Sequence, residues 1–242
     1  MIPNKETKKL RAFHGNAQLK KDIVFEILNH QKQDQIIKGT YGHQNGIWKG
    51  CAVGCSIHSL NVKYGKSLDT SSHKSYETEL GIPESLARLE DYLFESMPDD
   101  KSKKWPLEFM KAISVGANLS LVSAKFIAGI LRDVVKNKYV KDDKTVVKAV
   151  LDIARLWERI VSGKKVKDAA WSAAESAAWS AAESAAWSAA WSAAWSAAWS
   201  AAESAAWSAA ESAEWSTAES AAESAATYKM SRRLLKILRA SK

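Results

Sequence analysis

Apolar residues recur at helical spacing along most of this chain. In "NAQLKKDIVFEILNHQKQDQII", Leu19, Ile23, Ile27, Leu28 and Ile36 share a face, with Asn16 placed to cap the start. In "GIPESLARLEDYLFESM", Pro83 stands just inside a start, and Leu86, Leu89, Leu93 and Met97 form the stripe. "PLEFMKAISVG" starts at Pro106 and has a stop signal at Gly116. "LSLVSAKFIAGILRDVV" is apolar nearly all round, which predicts a buried central helix. "DDKTVVKAVLDIARLWERIV" carries Val147, Val150, Leu151, Ala154 and Trp157 on one stripe, and Gly163 ends it. These patterns predict a mostly α protein, a multi-helix bundle.

Between Lys38 and Ser75 the helical period fades into a Gly/Ser/His-rich irregular insert. "GTYGHQNG" is turn chemistry, and a short hairpin around Tyr41 to Trp48 fits it. "LNVKYGKSLDTSSHKS" reads as a polar loop.

A different pattern begins at Ala169. From Trp171 to Ser224 one position in four is Trp or Glu, always followed by Ser, with Ala in most other places. Eight of the chain's 11 Trp lie here, and no Gly or Pro interrupts it. The composition demands helix. The period of four does not match 3.6 residues per turn, so the Trp position drifts about 40° per repeat. A single straight helix of this length would reach about 87 Å and wind its Trp side chains into water. The expectation is a C-terminal repeat folded as several packed helices, each started by a Ser-Ala-Ala-Glu capping pattern. The expected organisation is a helical domain over 1–168, repeat helices over 169–227 and a basic amphipathic tail helix over 228–242, integrated in one globule.

Charge sharpens this picture. The net charge is +8, yet the repeat holds seven Glu and no Lys or Arg, which leaves +15 on the rest of the chain. The tail "YKMSRRLLKILRASK" is entirely basic among its charged residues, so it is expected to lie against the acidic repeat. No apolar run approaches a membrane span, and the basic N-terminus lacks a leader's apolar core. Two cysteines make no disulfide framework. A cytoplasmic location and no membrane partner follow as expectations. No recognition-helix, zinc-finger or RNA-binding signature is present, which argues against nucleic acid.

The candidate chemistry sits in "GIWKGCAVGCSIHS". If helix begins near Gly50, then Cys51, Cys55 and His58 share a face. Three readings compete. Small residues and buried thiols suit close core packing. The same three side chains could ligate a metal, with His14, His43 or His73 as fourth ligand. The Gly-rich approach and Lys49 could present backbone N–H groups to a small anion at a helix N-terminus. P-loop spacing is absent, and no cofactor is expected. A Cys–His nucleophile, Cys51 or Cys55 with His14 or His58, fits the inventory without evidence of activation. His14 before Gly15 reads first as a structural residue at a left-handed cap. His73, Tyr76, Glu77 and Glu79 precede a helix start, where acids are usually solvated.

Taken together, "LRAFHGN", "KGCAVGCSIHS", "YETELGIPESLARLEDYLFE" and "WPLEFMKAI" resemble a family labelled immunity-protein-five-like, Ala/Trp-repeat proteins common in phage and mobile-element genomes. The resemblance covers nearly the whole chain. It implies a small neutralising protein and brings no catalytic residues. It directs attention to His14, Gly50, Cys51, Gly54, Cys55, Tyr76, Glu77 and Glu79.

The expected function is therefore a non-enzymatic binding protein in defence or counter-defence. It would neutralise an effector, or hold a small phosphorylated, nucleotide-like signal in a basic pocket built from His14, Lys49, Gly50, Cys51, Cys55, His58, Tyr76 and Glu77. The alternatives are an immunity protein that occludes a toxin by protein–protein contact, and a Cys- or metal-dependent enzyme on a small acidic metabolite. The partners are thus a small anionic ligand or an effector protein, with a homo-oligomer through the repeat as the remaining option.

Overall fold

A computed structural model describes residues 10–45, 47–136, 142–174, 176, 177 and 227–242. The protein is mostly helical, as the apolar periodicity predicts. Most of the Trp repeat, and with it the packed-helix expectation, lies outside the described residues.

Backbone contacts divide the chain into two compact units, 1–123 with 223–242, and 124–222. The tail belongs with the first unit. In that unit a 3-10 turn (Ala12–Gly15) leads into α1 (Ala17–Lys32). Asn16 caps α1 as expected, its Oδ1 accepting from the Gln18 and Leu19 amides. A two-stranded antiparallel hairpin follows, β1 (His43–Asn45) and β2 (Ile47–Lys49). Gly50 extends it by pairing with the Gln35–Ile37 segment.

The insert is more helical than its composition suggests. α2 (Ala52–Tyr64) occupies its middle and α3 (Lys74–Leu80) its end, so the polar loop shrinks to the residues between them. α2, not the Val122 helix, is the central one. Residues Ala52 to Ile57, Ser59 and Leu60 are buried, and α1, α4 (Glu84–Ser96) and α6 (Trp105–Ala112) pack around them. Its buried small residues, Gly54, Ser56 and Ser59 among them, blur the contrast between apolar and polar positions that marks a helical period. They are needed for close approach: a Cβ on Gly54 would stand 2.1 Å from the Tyr41 carbonyl oxygen. The one-turn α5 (Asp99–Ser102) joins α4 to α6, and Trp105 is buried with its indole N–H on the Glu90 carbonyl at 3.1 Å.

α7 (Val122–Val134) buries Val122, Ala124, Phe126 and Ala128, while its other described residues keep some exposure. It is amphipathic rather than central. In the second unit, α8 (Lys144–Val161) is capped by Asp143, and Arg132 pairs with Glu158 through two 2.8 Å bonds. α9 begins at Asp168 and sets Trp171 edge-on to Trp157, with ring centroids 5.1 Å apart.

The tail forms α10 over 227–240. Leu234, Leu235 and Leu238 are fully buried, Arg232 pairs with Glu108 of α6 at 2.7 Å, and the Lys242 carbonyl accepts from the Asn118 amide. Its apolar face thus anchors it within the first unit. The acidic repeat against which the tail is expected to lie falls mostly outside the described residues.

Candidate functional site

Cys51 stands at the N-terminus of α2, where its Sγ accepts from the Gly54 amide at 3.4 Å. The loop before it is drawn tight. The Gly50 amide donates to the Gln35 carbonyl, and the Cys51 amide donates to the Thr40 carbonyl. A Cβ on Gly50 would lie 2.6 Å from the Trp48 ring. The Gly-rich approach therefore serves close packing. The Gly50 and Cys51 amides are already engaged, so they form no open cradle for an anion.

Two carboxylates from α4 come to the Cys51 thiol. Sγ of Cys51 and one oxygen each of Asp91 and Glu95 lie within 4.8 Å of one another. Asp91 and Glu95 are four apart, so one helix face presents both. Asp91 is fixed from two sides: its Oδ2 accepts from the Tyr41 hydroxyl at 2.9 Å and meets His73 Nε2 at 3.0 Å. The Tyr41 and His73 rings meet edge to face. Glu95 is exposed, and both its oxygens take the Gly39 amide. Burial, then its neighbour Asp91, pushes the Glu95 carboxyl up. Desolvation likewise pushes up the Tyr41 phenol, to about 12, with Asp91 adding to it.

Behind this cluster lie buried polar atoms with no hydrogen-bond partner among the described residues. Tyr76 and Glu90 are fully buried and Asp91 is 9% exposed. Among the described residues, the Tyr76 hydroxyl, both Glu90 carboxyl oxygens and Asp91 Oδ1 have no partner at hydrogen-bond geometry, although Tyr76 lies near enough to Glu90 and Ser56 to interact with both. Burial drives the Glu90 carboxyl well above the usual carboxylate range. Four orphaned polar atoms on three adjoining side chains are uncommon, since each costs about 1–3 kcal/mol when left unpaired.

The thiols are not poised as nucleophiles. Cys51 is 1% and Cys55 0% exposed, and burial raises both well above the ordinary range. Cys55 Sγ points to the Gly50 carbonyl at 3.3 Å. His58 lies elsewhere, flat on Trp48 and 3.4 Å from His30 Nε2, with its pKa lowered to about 4 by burial and by His30. The structure therefore does not join Cys51, Cys55 and His58 in one ligand set. Among the described residues, the group with ligand spacing is Cys51, Asp91 and Glu95.

The remaining expected site residues are dispersed. His14 hydrogen-bonds the Thr78 carbonyl at 3.1 Å in a left-handed backbone conformation beside Gly15. Lys49 is half-buried on β2, near Asp34. Glu77 is on α3, not in a loop; it pairs with Lys74 and accepts from the Glu84 amide at the start of α4. Tyr76 alone of the α3 residues reaches the buried layer.

Sequence reasoning missed Glu90, Asp91 and Glu95. The signal was present. Leu86, Leu93 and Met97 define the buried face of α4, and Glu90, four after Leu86, falls at its centre. A carboxylate there demands a partner or a proton.

No protein-family model matches the chain, and no curated protein or solved structure matches it.

Proposed function

We propose that this chain is a non-enzymatic binding protein that takes its ligand at the Cys51–Asp91–Glu95 cluster. The observation that carries this reading is the set of four unpartnered atoms on Tyr76, Glu90 and Asp91. A polar guest would supply the hydrogen bonds that the fold omits. The immunity-protein resemblance supports a role in defence or counter-defence, in which capture of the guest neutralises it.

The sign of the site argues about the guest. Two carboxylates and a thiol face it, and His73 is spent on Asp91. Lys38, whose charge acts on Glu95, is paired with Asp99 at 2.7 Å. A cation or a neutral hydrogen-bond donor fits here, and a phosphorylated signal does not. Enzymatic use of Cys51 would require a thiolate, which burial and Asp91 both oppose.

The test is mass spectrometry, organic and elemental, of species released when the full chain purified from cells is denatured. An equimolar bound species, diminished in Asp91→Asn, supports the reading. A chain that releases nothing in either form overturns it and leaves occlusion of a protein partner.

A further inference from the structure

We infer that Cys51, Asp91 and Glu95 form a binding site for a divalent cation of the zinc class, with Tyr41 and His73 as positioning residues. The inference rests on the binding reading above and gives its guest a chemical class.

Geometry comes first. Zn–S bonds of about 2.3 Å and Zn–O bonds of about 2.0–2.2 Å place bound ligand atoms roughly 3–4 Å apart. The three donors already lie within 4.8 Å of one another. Glu95 is exposed and, among the described residues, is hydrogen-bonded by the Gly39 amide, so a small rotation of its side chain closes the set. Glu95 is the solvent-facing member of the set, while Cys51 and Asp91 are buried.

The setting of Asp91 supplies an independent observation. A carboxylate that ligates metal through one oxygen commonly has the other hydrogen-bonded by outer residues. Asp91 is arranged so. Oδ2 is held by Tyr41 and His73, whereas Oδ1 is buried and has no partner. Left empty, that oxygen pays a desolvation cost with nothing in return. Bound to a cation, it is satisfied.

The donor set selects the ion. One thiolate with two carboxylates is too soft for magnesium or calcium, which take oxygen ligands alone, and suits zinc or cobalt. Binding releases the Cys51 proton to solvent as the thiol becomes a thiolate ligand. The three anionic donors then offset the two positive charges, and water completes the coordination. Cys55, four residues on, is turned toward the Gly50 carbonyl and is not a ligand.

Cobalt(II) tests this on the full-length chain, stripped with chelator under reducing conditions. Thiolate ligation gives a sulfur-to-cobalt charge-transfer band in the near ultraviolet. We expect that band to saturate at one cobalt per chain and to be bleached by zinc. Cys51→Ser should abolish it and Cys55→Ala should keep it. Glu95→Gln, at an exposed position that does not threaten folding, should weaken cobalt binding. Tyr41→Phe and His73→Ala should weaken it about 10–100-fold while circular dichroism stays helical. No saturable band in the folded wild-type chain overturns the inference. So does a band that survives Cys51→Ser, or a cobalt affinity unchanged in Glu95→Gln. An organic species released from cell-purified protein, with no cobalt band, removes the metal and preserves the binding reading. Release of nothing, with no band, removes both.

Discussion

Trp48 lies flat against His58, with ring centroids 4.0 Å apart and planes 9° from parallel. His30 completes the group, with Nδ1 on the buried Gln35 side-chain oxygen at 2.6 Å and Nε2 3.4 Å from His58 Nδ1. Both imidazoles are lowered, chiefly by burial; His30 lowers His58 further, while Gln35 and Glu26 pull His30 partly back up. The unfolded chain therefore takes up protons first as pH falls. This pair's contribution to stability is complete above about pH 6.5 and declines toward pH 4. We predict a melting temperature that falls across this window, and a shallower fall in His58→Gln. An imidazole titration by NMR that places His58 near 6.5 would contradict the account.

Gly54 and Gly65 should respond to alanine for different reasons. A Cβ on Gly54 would meet the Tyr41 carbonyl at 2.1 Å, although the position is ordinary helix. Overpacking of this kind costs about 1–3 kcal/mol, more than the roughly 1 kcal/mol that helix propensity returns. Gly65 has open space but a φ of +61° at the α2 C-cap, so Gly65→Ala should cost about 1 kcal/mol. Denaturant midpoints measure both. A stabilised Gly54→Ala would show that loop 39–42 does not press on α2.

The tail should behave as core. Leu235→Ala should destabilise the first unit by about 2–5 kcal/mol, because the side chain is fully buried. Arg232→Ala removes only an exposed ion pair with Glu108 and should cost about 0–1 kcal/mol. Thermal melts distinguish this hydrophobic seat from an electrostatic one, which would reverse the order and respond to salt.

Both thiols should resist alkylation in the folded chain. Cys51 and Cys55 are at most 1% exposed. Iodoacetamide should modify them only as the chain opens, at a rate that follows denaturant. Rapid modification of Cys51 in native buffer would mean that the α2 N-terminus is open to reagents.

The sequence was most legible where amphipathic faces were long. The Asn16 cap, the helices α1, α4 and α8, and the short hairpin stand where periodicity and turn chemistry put them, but Ile36 falls beyond α1 in a β-bridge with Gly50, and α8 buries Ala149, Ala154 and Leu156 rather than the whole expected stripe. It was least legible in α2, whose central position depends on small side chains that blur the apolar pattern. Cys51 was found from its neighbours in "KGCAVGCS", but its partners were not. Asp91 and Glu95 are distant from Cys51 in sequence and look like the solvated side of α4; packing buries Asp91 and leaves Glu95 exposed beside it. His58 shares a helical face with Cys51 by spacing alone; α2 points it at Trp48 and His30 instead. Glu90 is the residue a stricter reading of the stripe would have flagged.

The most direct test of the central claim is a crystal structure of the full chain as purified from cells, read between Asp91 Oδ1 and the Cys51 thiol. The account predicts density there that belongs to no protein atom and lies within bonding distance of Asp91 Oδ1. Direct hydrogen bonds among Tyr76, Glu90 and Asp91, closed over an empty interior, would contradict it.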